Sequence, residues 1–94
     1  MNPVRALDAP ARRADVYSLE VDGEAVLLDE ADQQLHRLNA SATLVWSCLD
    51  GTTTLEQIAR EISEELDLPY DVVLQDTLAV ATQLHERRLV RIGS

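Results

Sequence analysis

The sequence contains no phenylalanine, no lysine and a single cysteine among its 94 residues. Trp46, Tyr17 and Tyr70 are its only aromatic residues, so a hydrophobic core has to be built mainly from Leu, Val, Ile and Ala. The lone Cys48 has no partner for an internal disulfide, which indicates a reducing, cytoplasmic setting. No apolar run approaches the roughly 18 residues of a membrane span, and the N-terminus lacks the apolar stretch of a signal peptide.

Positive charge is also scarce. Eight arginines stand against seventeen carboxylates, which gives a net charge of −9. Proteins that bind nucleic acids obtain much of their affinity from Lys and Arg contacts to phosphates, and anionic membranes attract the same cations. We therefore expect this chain to bind neither nucleic acid nor membrane.

Groups that could carry catalysis are scattered or missing. Three glycines provide no phosphate-binding loop. His36, Cys48 and His85 are far apart in sequence and fall on different predicted elements, so no metal site is predicted. No base is placed to activate Cys48 or a serine. The sequence predicts a protein that is not an enzyme, with no catalytic residue, no metal and no cofactor.

Strand periodicity begins near Asp15. Apolar and polar residues alternate over 16–21, and the Asp22-Gly23 pair that follows is a strong hairpin signal. Two further strands are predicted at 24–29 and 34–38, which gives an antiparallel meander. Residues 1–14 contain two prolines and three arginines without periodicity, so they are predicted to form a flexible N-terminal tail before a single domain over 15–94.

Helical periodicity replaces strand periodicity after residue 38. Asn39 can cap a helix over 40–49. Thr54 and Gln57 form a capping box at the start of an amphipathic helix over 55–66.

A third helix is predicted from Pro69, which suits the first turn, to Arg88. Its apolar residues occupy an arc of roughly 160°, which is wider than one packed stripe needs. One edge of this helix can contact the core while the other lines a groove; a helix sandwiched between the sheet and other helices has the same pattern. Residues 89–92 form a short closing strand or an extended tail.

The predicted meander ends in an edge strand at Gln34–Leu38. The backbone of an edge strand can pair with an incoming extended peptide, which then gains affinity from the backbone and selectivity from side-chain pockets. An edge strand beside a wide apolar helix face has both parts of such a site.

Several short segments resemble the PqqD-like family. The resemblance covers about residues 16–92 and is carried by these runs: His36-Arg37-Leu38-Asn39-Ala40-Ser41-Ala42, Val45-Trp46, Leu49-Asp50-Gly51, Thr54 to Ala59, Val73 to Leu84 and Leu89-Val90.

The resemblance implies an α+β fold of the winged helix-turn-helix type, with a three-stranded antiparallel sheet followed by three helices. Members act as recognition elements for ribosomally synthesised and post-translationally modified peptides (RiPPs), and present a precursor peptide to a modifying enzyme or leader protease in trans. The leader segment is expected to add a strand to the third strand, in the cleft against the third helix. Transferred to this chain, the peptide-binding residues are Gln34, Leu35, His36, Arg37 and Leu38 on the strand and Val73, Leu74, Thr77, Leu78, Ala81 and His85 on the helix. Asn39 and Trp46 belong to the motif but are expected to be structural.

The segment before Leu38-Asn39 lacks the Pro-Glu-Gly run of members that serve pyrroloquinoline quinone synthesis. That departure favours another pathway, such as a lasso peptide or a peptide modified by a radical-SAM enzyme. Two other functions compete with leader binding. One is a scaffold or dimerisation domain; the other is a winged-helix DNA-binding regulator, which the glutamates of the 55–66 helix oppose. The edge strand and tail permit a monomer or a weak, domain-swapped dimer.

Overall fold

The computed structural model describes residues 4–92 of the chain. Five strands and three helices follow one another along it, in this order: β1 (Pro10–Arg12), β2 (Val16–Val21), β3 (Glu24–Asp29), β4 (Gln34–Leu38), α1 (Ala40–Cys48), α2 (Leu55–Leu66), α3 (Tyr70–Glu86) and β5 (Val90–Ile92).

Strands β2, β3 and β4 form an antiparallel sheet in that order, as the alternation of apolar residues predicts. The β2–β3 hairpin closes on Asp22 and Gly23, whose φ angles are 53° and 81°. Two consecutive positive φ angles match the right-handed twist of the flanking strands, which explains the Asp-Gly pair. The predicted α+β architecture of three antiparallel strands and three helices is confirmed.

Helices α1 and α2 begin at the predicted caps. The Asn39 side chain accepts a 2.8 Å hydrogen bond from the Ala42 N–H. At the start of α2, the Thr54 hydroxyl accepts from the Gln57 N–H while the Gln57 side chain accepts from the Thr54 N–H. Helix α3 ends two residues before its predicted end, because Arg88 adopts a φ of 60° that no helix residue can have.

Helix α1 packs on β3 and β4, and α2 and α3 complete a core that is aliphatic apart from Trp46. The sheet contributes Leu27 and Leu38, and the fully buried centre combines residues from every part of the chain: Leu27, Leu49, Leu55, Ile58, Leu84 and Leu89. Within residues 4–92, no helix combines the length and apolar character needed to cross a lipid bilayer.

The N-terminal segment differs from the flexible tail predicted for residues 1–14. Strand β1 pairs antiparallel with β5. The Ala6 and Asp8 carbonyls accept hydrogen bonds of 2.9 Å from the N–H groups of Glu56 and Leu55, and Val4 is 7% exposed. The first N–H groups of a helix have no partner inside it, so α2 offers donors to this segment. Residues 1–3 of the predicted tail lie outside the described residues.

Arg13 connects the N-terminal segment to the rest of the domain through polar contacts. Its guanidinium donates a 2.6 Å hydrogen bond to the Arg88 carbonyl and pairs with Asp15 at 2.6 Å. It also lies 3.6 Å from the carboxylate of Asp29, which is 1% exposed at the end of β3. These contacts join the N-terminal segment, the sheet and the end of α3.

Candidate functional site

Strand β4 is an edge of the sheet, and hairpin geometry determines which of its backbone groups are unpaired. The residues that flank a two-residue turn, Val21 and Glu24, form a hydrogen-bonded pair. Because pairing alternates along an antiparallel strand, the next residue of β3, Ala25, directs its N–H toward β4.

Thr43 gives independent support for this assignment. The N–H of Ala25 donates a 2.9 Å hydrogen bond to the buried Thr43 hydroxyl, which in turn donates to the carbonyl of Leu38 at 3.4 Å. The N–H of Ala25 therefore points toward β4, opposite its partner Leu38. By alternation, Leu38, His36 and Gln34 pair with β3, whereas the N–H and C=O groups of Leu35 and Arg37 point away from the sheet.

The side chains of β4 divide between two faces. Leu38 is buried and His36 is half-buried on the helix side. Leu35 and Arg37 are exposed on the opposite face, and the Arg37 guanidinium lies 3.9 Å from the Glu24 carboxylate. Gln34 is exposed at the start of the strand. The structure thus brings the five predicted strand residues together along one open edge.

Three of the predicted residues of α3 belong to the core. Val73, Thr77 and Ala81 are 6%, 1% and 0% exposed, and the Thr77 hydroxyl donates a 2.7 Å hydrogen bond to the Val73 carbonyl. Their side chains point into the interior, although Val73 and Thr77 also line the floor of a small apolar pocket between the helices. Leu78, which is half-buried, packs against the same core.

A cleft of about 230 Å³ adjoins the end of β4, between the start of α1 and α3. Asn39, Ser41 and Ala42 line one wall; Asp76, Ala79, Val80 and Gln83 line the other.

The wall of the cleft on α3 is formed by a flank of the helix that was not predicted to bind peptide. At about 100° per residue, Asp76, Val80 and Gln83 lie on one side of the buried stripe of α3. The half-buried Leu74, Leu78 and His85 lie on its other side. Asp76, Ala79 and Gln83 lie outside the apolar arc of α3. The packing of α3 against α1 determines which flank borders the cleft.

A smaller apolar pocket of about 70 Å³ continues from the cleft, with which it shares Ser41 and Asp76. It lies where the three helices meet. Leu44, Leu66 and Leu68 line its mouth and are 43%, 48% and 47% exposed. An apolar side chain entering from the cleft can be buried there.

Two ionisable groups at the end of α1 and just after it have shifted pKa values. Burial raises the pKa of the Cys48 thiol, which disfavours the thiolate that a nucleophile needs. The Asp50 carboxylate accepts hydrogen bonds from the N–H groups of Thr52 and Thr53, and these bonds hold its pKa well below its usual range. Within residues 4–92, no three His, Cys, Asp or Glu side chains are grouped closely enough to hold a metal ion.

The fold is thus a small α+β domain of three antiparallel strands and three helices, with an open sheet edge beside a helix-lined cleft. The sequence profile of coenzyme PQQ synthesis protein D (PqqD) matches residues 24–90. The chain therefore belongs to the PqqD family, as the sequence motifs predict.

Curated relatives match almost the whole chain. A PqqA binding protein of Xanthomonas campestris pv. campestris (strain 8004) is 33% identical over 95 residues, which cover 98% of this chain and 100% of the relative. A PqqA binding protein of Xanthomonas axonopodis pv. citri (strain 306) is 35% identical over 86 residues, or 88% and 90% of the two chains.

Solved structures confirm the fold. TbiB1 in complex with the TbiA(beta) leader peptide has a TM-score of 0.77 at 25% identity and covers 86% of this chain and 94% of TbiB1. The PqqD truncation of Methylobacterium extorquens PqqCD, described as a stand-alone RiPP recognition element, has a TM-score of 0.79 at 22% identity over 94% of each chain.

Proposed function

We propose that this chain is a stand-alone RiPP recognition element, which binds the leader of a ribosomally made precursor peptide by strand addition to β4. The observation that carries this proposal is the outward orientation of the N–H and C=O groups of Leu35 and Arg37 beside the cleft. The similarity of this chain to PqqA binding proteins and to TbiB1 in complex with a leader peptide supports the same chemistry.

The open edge fits an extended peptide. Leu35 and Arg37 are two positions apart, so their outward groups are spaced by about 7 Å, the repeat of an antiparallel partner. Alternate side chains of an added strand point to opposite faces. One set faces the cleft and its apolar pocket, and the other set lies beside the exposed Leu35 and Arg37 side chains. Backbone pairing thus supplies affinity while the cleft supplies selectivity.

We propose that the helix side of the site is the α3 flank formed by Asp76, Ala79, Val80 and Gln83, because these residues line the cleft. Val73, Thr77 and Ala81 support that flank from the core. The sequence-predicted Leu74, Leu78 and His85 define the alternative flank, and the two can be separated by mutation.

The proposed activity of this chain is leader binding without catalysis. A separate modifying enzyme or leader protease acts in trans on the bound precursor peptide, in the reducing cytoplasm. The net charge of −9 attracts leaders that carry Lys or Arg and should raise their association rate. Arg37, whose side chain is 82% exposed, can hold an acidic leader residue locally. The absence of a Pro-Glu-Gly run before Leu38 favours a lasso or radical-SAM precursor over PqqA.

Fluorescence anisotropy tests the proposal with three labelled peptides: the leader of the precursor encoded beside this chain's gene, PqqA, and a scrambled version of that leader. We expect a dissociation constant of about 1–10 µM for one of the first two peptides and no saturation with the scrambled one. Failure of both to bind at about 100 µM overturns the proposed function. Tighter binding of PqqA than of the neighbouring leader assigns the chain to pyrroloquinoline quinone synthesis instead.

A further inference from the structure

Helix α1 packs on one face of the β2-β3-β4 sheet at β3 and β4, and the opposite face of the sheet is apolar. Six apolar side chains from the three strands share it: Tyr17, Leu19, Val21, Val26, Leu28 and Leu35. We call this set the outer sheet face. The register aligns Tyr17, Leu28 and Leu35 in one row across the three strands, so the face is continuous.

The outer sheet face is unusually exposed for such side chains. Leu35, Leu19 and Tyr17 are 69%, 66% and 57% exposed. Together the six side chains present roughly 500 Å², near the upper end of the 300–600 Å² that the largest apolar patch of a monomer reaches. The largest apolar patch of a monomer is often functional, so this surface is a candidate interface.

We propose that a second copy of this chain covers the outer sheet face, so that two molecules pack sheet against sheet about a two-fold axis. A standard interface buries about 800 Å² per partner. The apolar face and its polar rim together approach that area. Sheets packed face to face lie about 10 Å apart, a distance that side chains of this size fill from both sides.

The charges of the face favour a second copy over a basic partner. The face carries Arg37 and Glu24, 3.9 Å apart, so its local charge is balanced. A two-fold axis can place Arg37 of one molecule near the partner's Glu24, which makes the surface self-complementary. The carboxylates that would attract a basic protein are concentrated elsewhere, for example Glu61, Glu64 and Glu65 on α2.

This dimer does not depend on the proposed function and leaves the peptide edge accessible. The side chains of Leu35 and Arg37 point perpendicular to the sheet, whereas their outward N–H and C=O groups lie in its plane. Stacking a second sheet covers the side chains only. Each molecule of the dimer keeps an open β4 backbone edge, but its Arg37 side chain then faces the partner and no longer holds an acidic leader residue.

The net charge gives the dimer a diagnostic response to salt. Two chains of −9 each repel one another, and added salt screens that repulsion without weakening apolar contacts. Salt therefore strengthens association between copies, whereas it weakens the association of an acidic chain with a basic partner.

Sedimentation equilibrium from about 10 µM to about 1 mM protein, in about 50 mM and about 500 mM NaCl, tests the proposal. We expect twice the 10.4 kDa chain mass at the upper concentrations, with tighter association at high salt. Leu19→Glu places a charge in the face and should weaken association by at least about 30-fold. Leu7→Glu is the matched control, since Leu7 is 75% exposed outside this face, and it should associate like the wild type.

A second variant, Tyr17→Ser, removes apolar area without adding charge and should also weaken association, by about tenfold. Circular dichroism establishes that each variant is folded. A single-chain mass for the wild type at about 1 mM in high salt overturns the proposal and leaves the face to another protein. A dimer whose dissociation constant is unchanged by both Leu19→Glu and Tyr17→Ser also overturns the proposal, because the two copies then associate through another surface.

Discussion

The hydroxyl of Thr43 takes the place of a backbone acceptor for Ala25. The Ala25 N–H donates a 2.9 Å hydrogen bond to it, and the hydroxyl donates a 3.4 Å hydrogen bond to the Leu38 carbonyl. Helix α1 is thereby tied to the end of the β3–β4 ladder, where the open edge of the sheet meets the cleft.

Replacing Thr43 with valine, which has nearly the same shape, should leave the buried N–H of Ala25 without a partner. We expect the free energy of unfolding to fall by about 1–3 kcal/mol, measured by urea denaturation. Thr43→Ser keeps the hydroxyl and should retain more of the stability. A smaller loss in Thr43→Val than in Thr43→Ser would show that packing of the methyl group, rather than the hydrogen bond, matters at this position.

Proline substitution along β4 tests the orientation of its backbone. Leu35→Pro and Arg37→Pro remove outward N–H groups, so the domain should stay folded while leader affinity falls by about tenfold. His36→Pro removes an N–H that pairs with β3 and should destabilise the domain instead. Thermal denaturation and fluorescence anisotropy measure the two effects.

Two controls accompany the proline variants. Ser18→Pro removes an outward N–H from β2, the opposite edge of the sheet, and should not change leader affinity. Arg37→Ala separates the loss of the guanidinium from the loss of the N–H. Unchanged affinity in both Leu35→Pro and Arg37→Pro, with the domain folded, would rule out strand addition at β4.

Neighbouring residues of α3 distinguish its two flanks. Ala79→Glu narrows the cleft at an exposed position, so leader affinity should fall by about tenfold while the Tm is unchanged. Leu78→Glu introduces the same charge at a half-buried position packed on the core, and should lower the Tm with little effect on affinity. The reverse pattern in anisotropy and thermal denaturation would place the leader against Leu74, Leu78 and His85.

Asp50 gives the connection between α1 and α2 a dependence on pH. Hydrogen bonds from Thr52 and Thr53 lower its pKa in the folded state, so its stabilising effect is complete above the unfolded value of about 3.9 and is lost as pH falls below it. Asp50→Ala should therefore lower the Tm at pH 7, and the difference from the wild type should narrow toward about pH 2.5. Thermal melts at both pH values measure this. A gap that stays constant with pH would contradict the assigned role of the ionised carboxylate.

Local signals predicted most of the fold. Period-two alternation and Asp22-Gly23 gave the sheet, and the side chains of Asn39 and Thr54 located two helix starts; all of these features are encoded within a few adjacent residues. Strand β1 was not predicted, because three residues carry no periodicity and its partner lies 78 to 82 positions further along the chain. The resemblance also placed the strand side of the candidate site.

The helix side of the site was harder to predict for a physical reason. An apolar arc on α3 shows that the helix is buried, but it does not distinguish the stripe that enters the core from a flank that borders a cleft. That distinction depends on how α3 crosses α1, which brings Ser41 opposite Asp76. The alternation of residues along the strands predicts that the side chains of the outer sheet face share one side of the sheet. It does not predict which side the helices pack against, so the exposure of this face follows only from the tertiary structure.

The pairing of β1 with β5 sets Pro10 directly opposite Ile92. The first and last strands of the domain are therefore neighbours, on a small sheet separate from the one that carries β4, while the residues before β1 lie along α2. A short linker could join them, with new ends opened at the exposed Asp22-Gly23 turn, and the circularly permuted chain would retain every strand pairing. For the same reason, an enzyme fused beyond β5 would be tethered at the small sheet, so its reach to a peptide bound at β4 would depend on linker length.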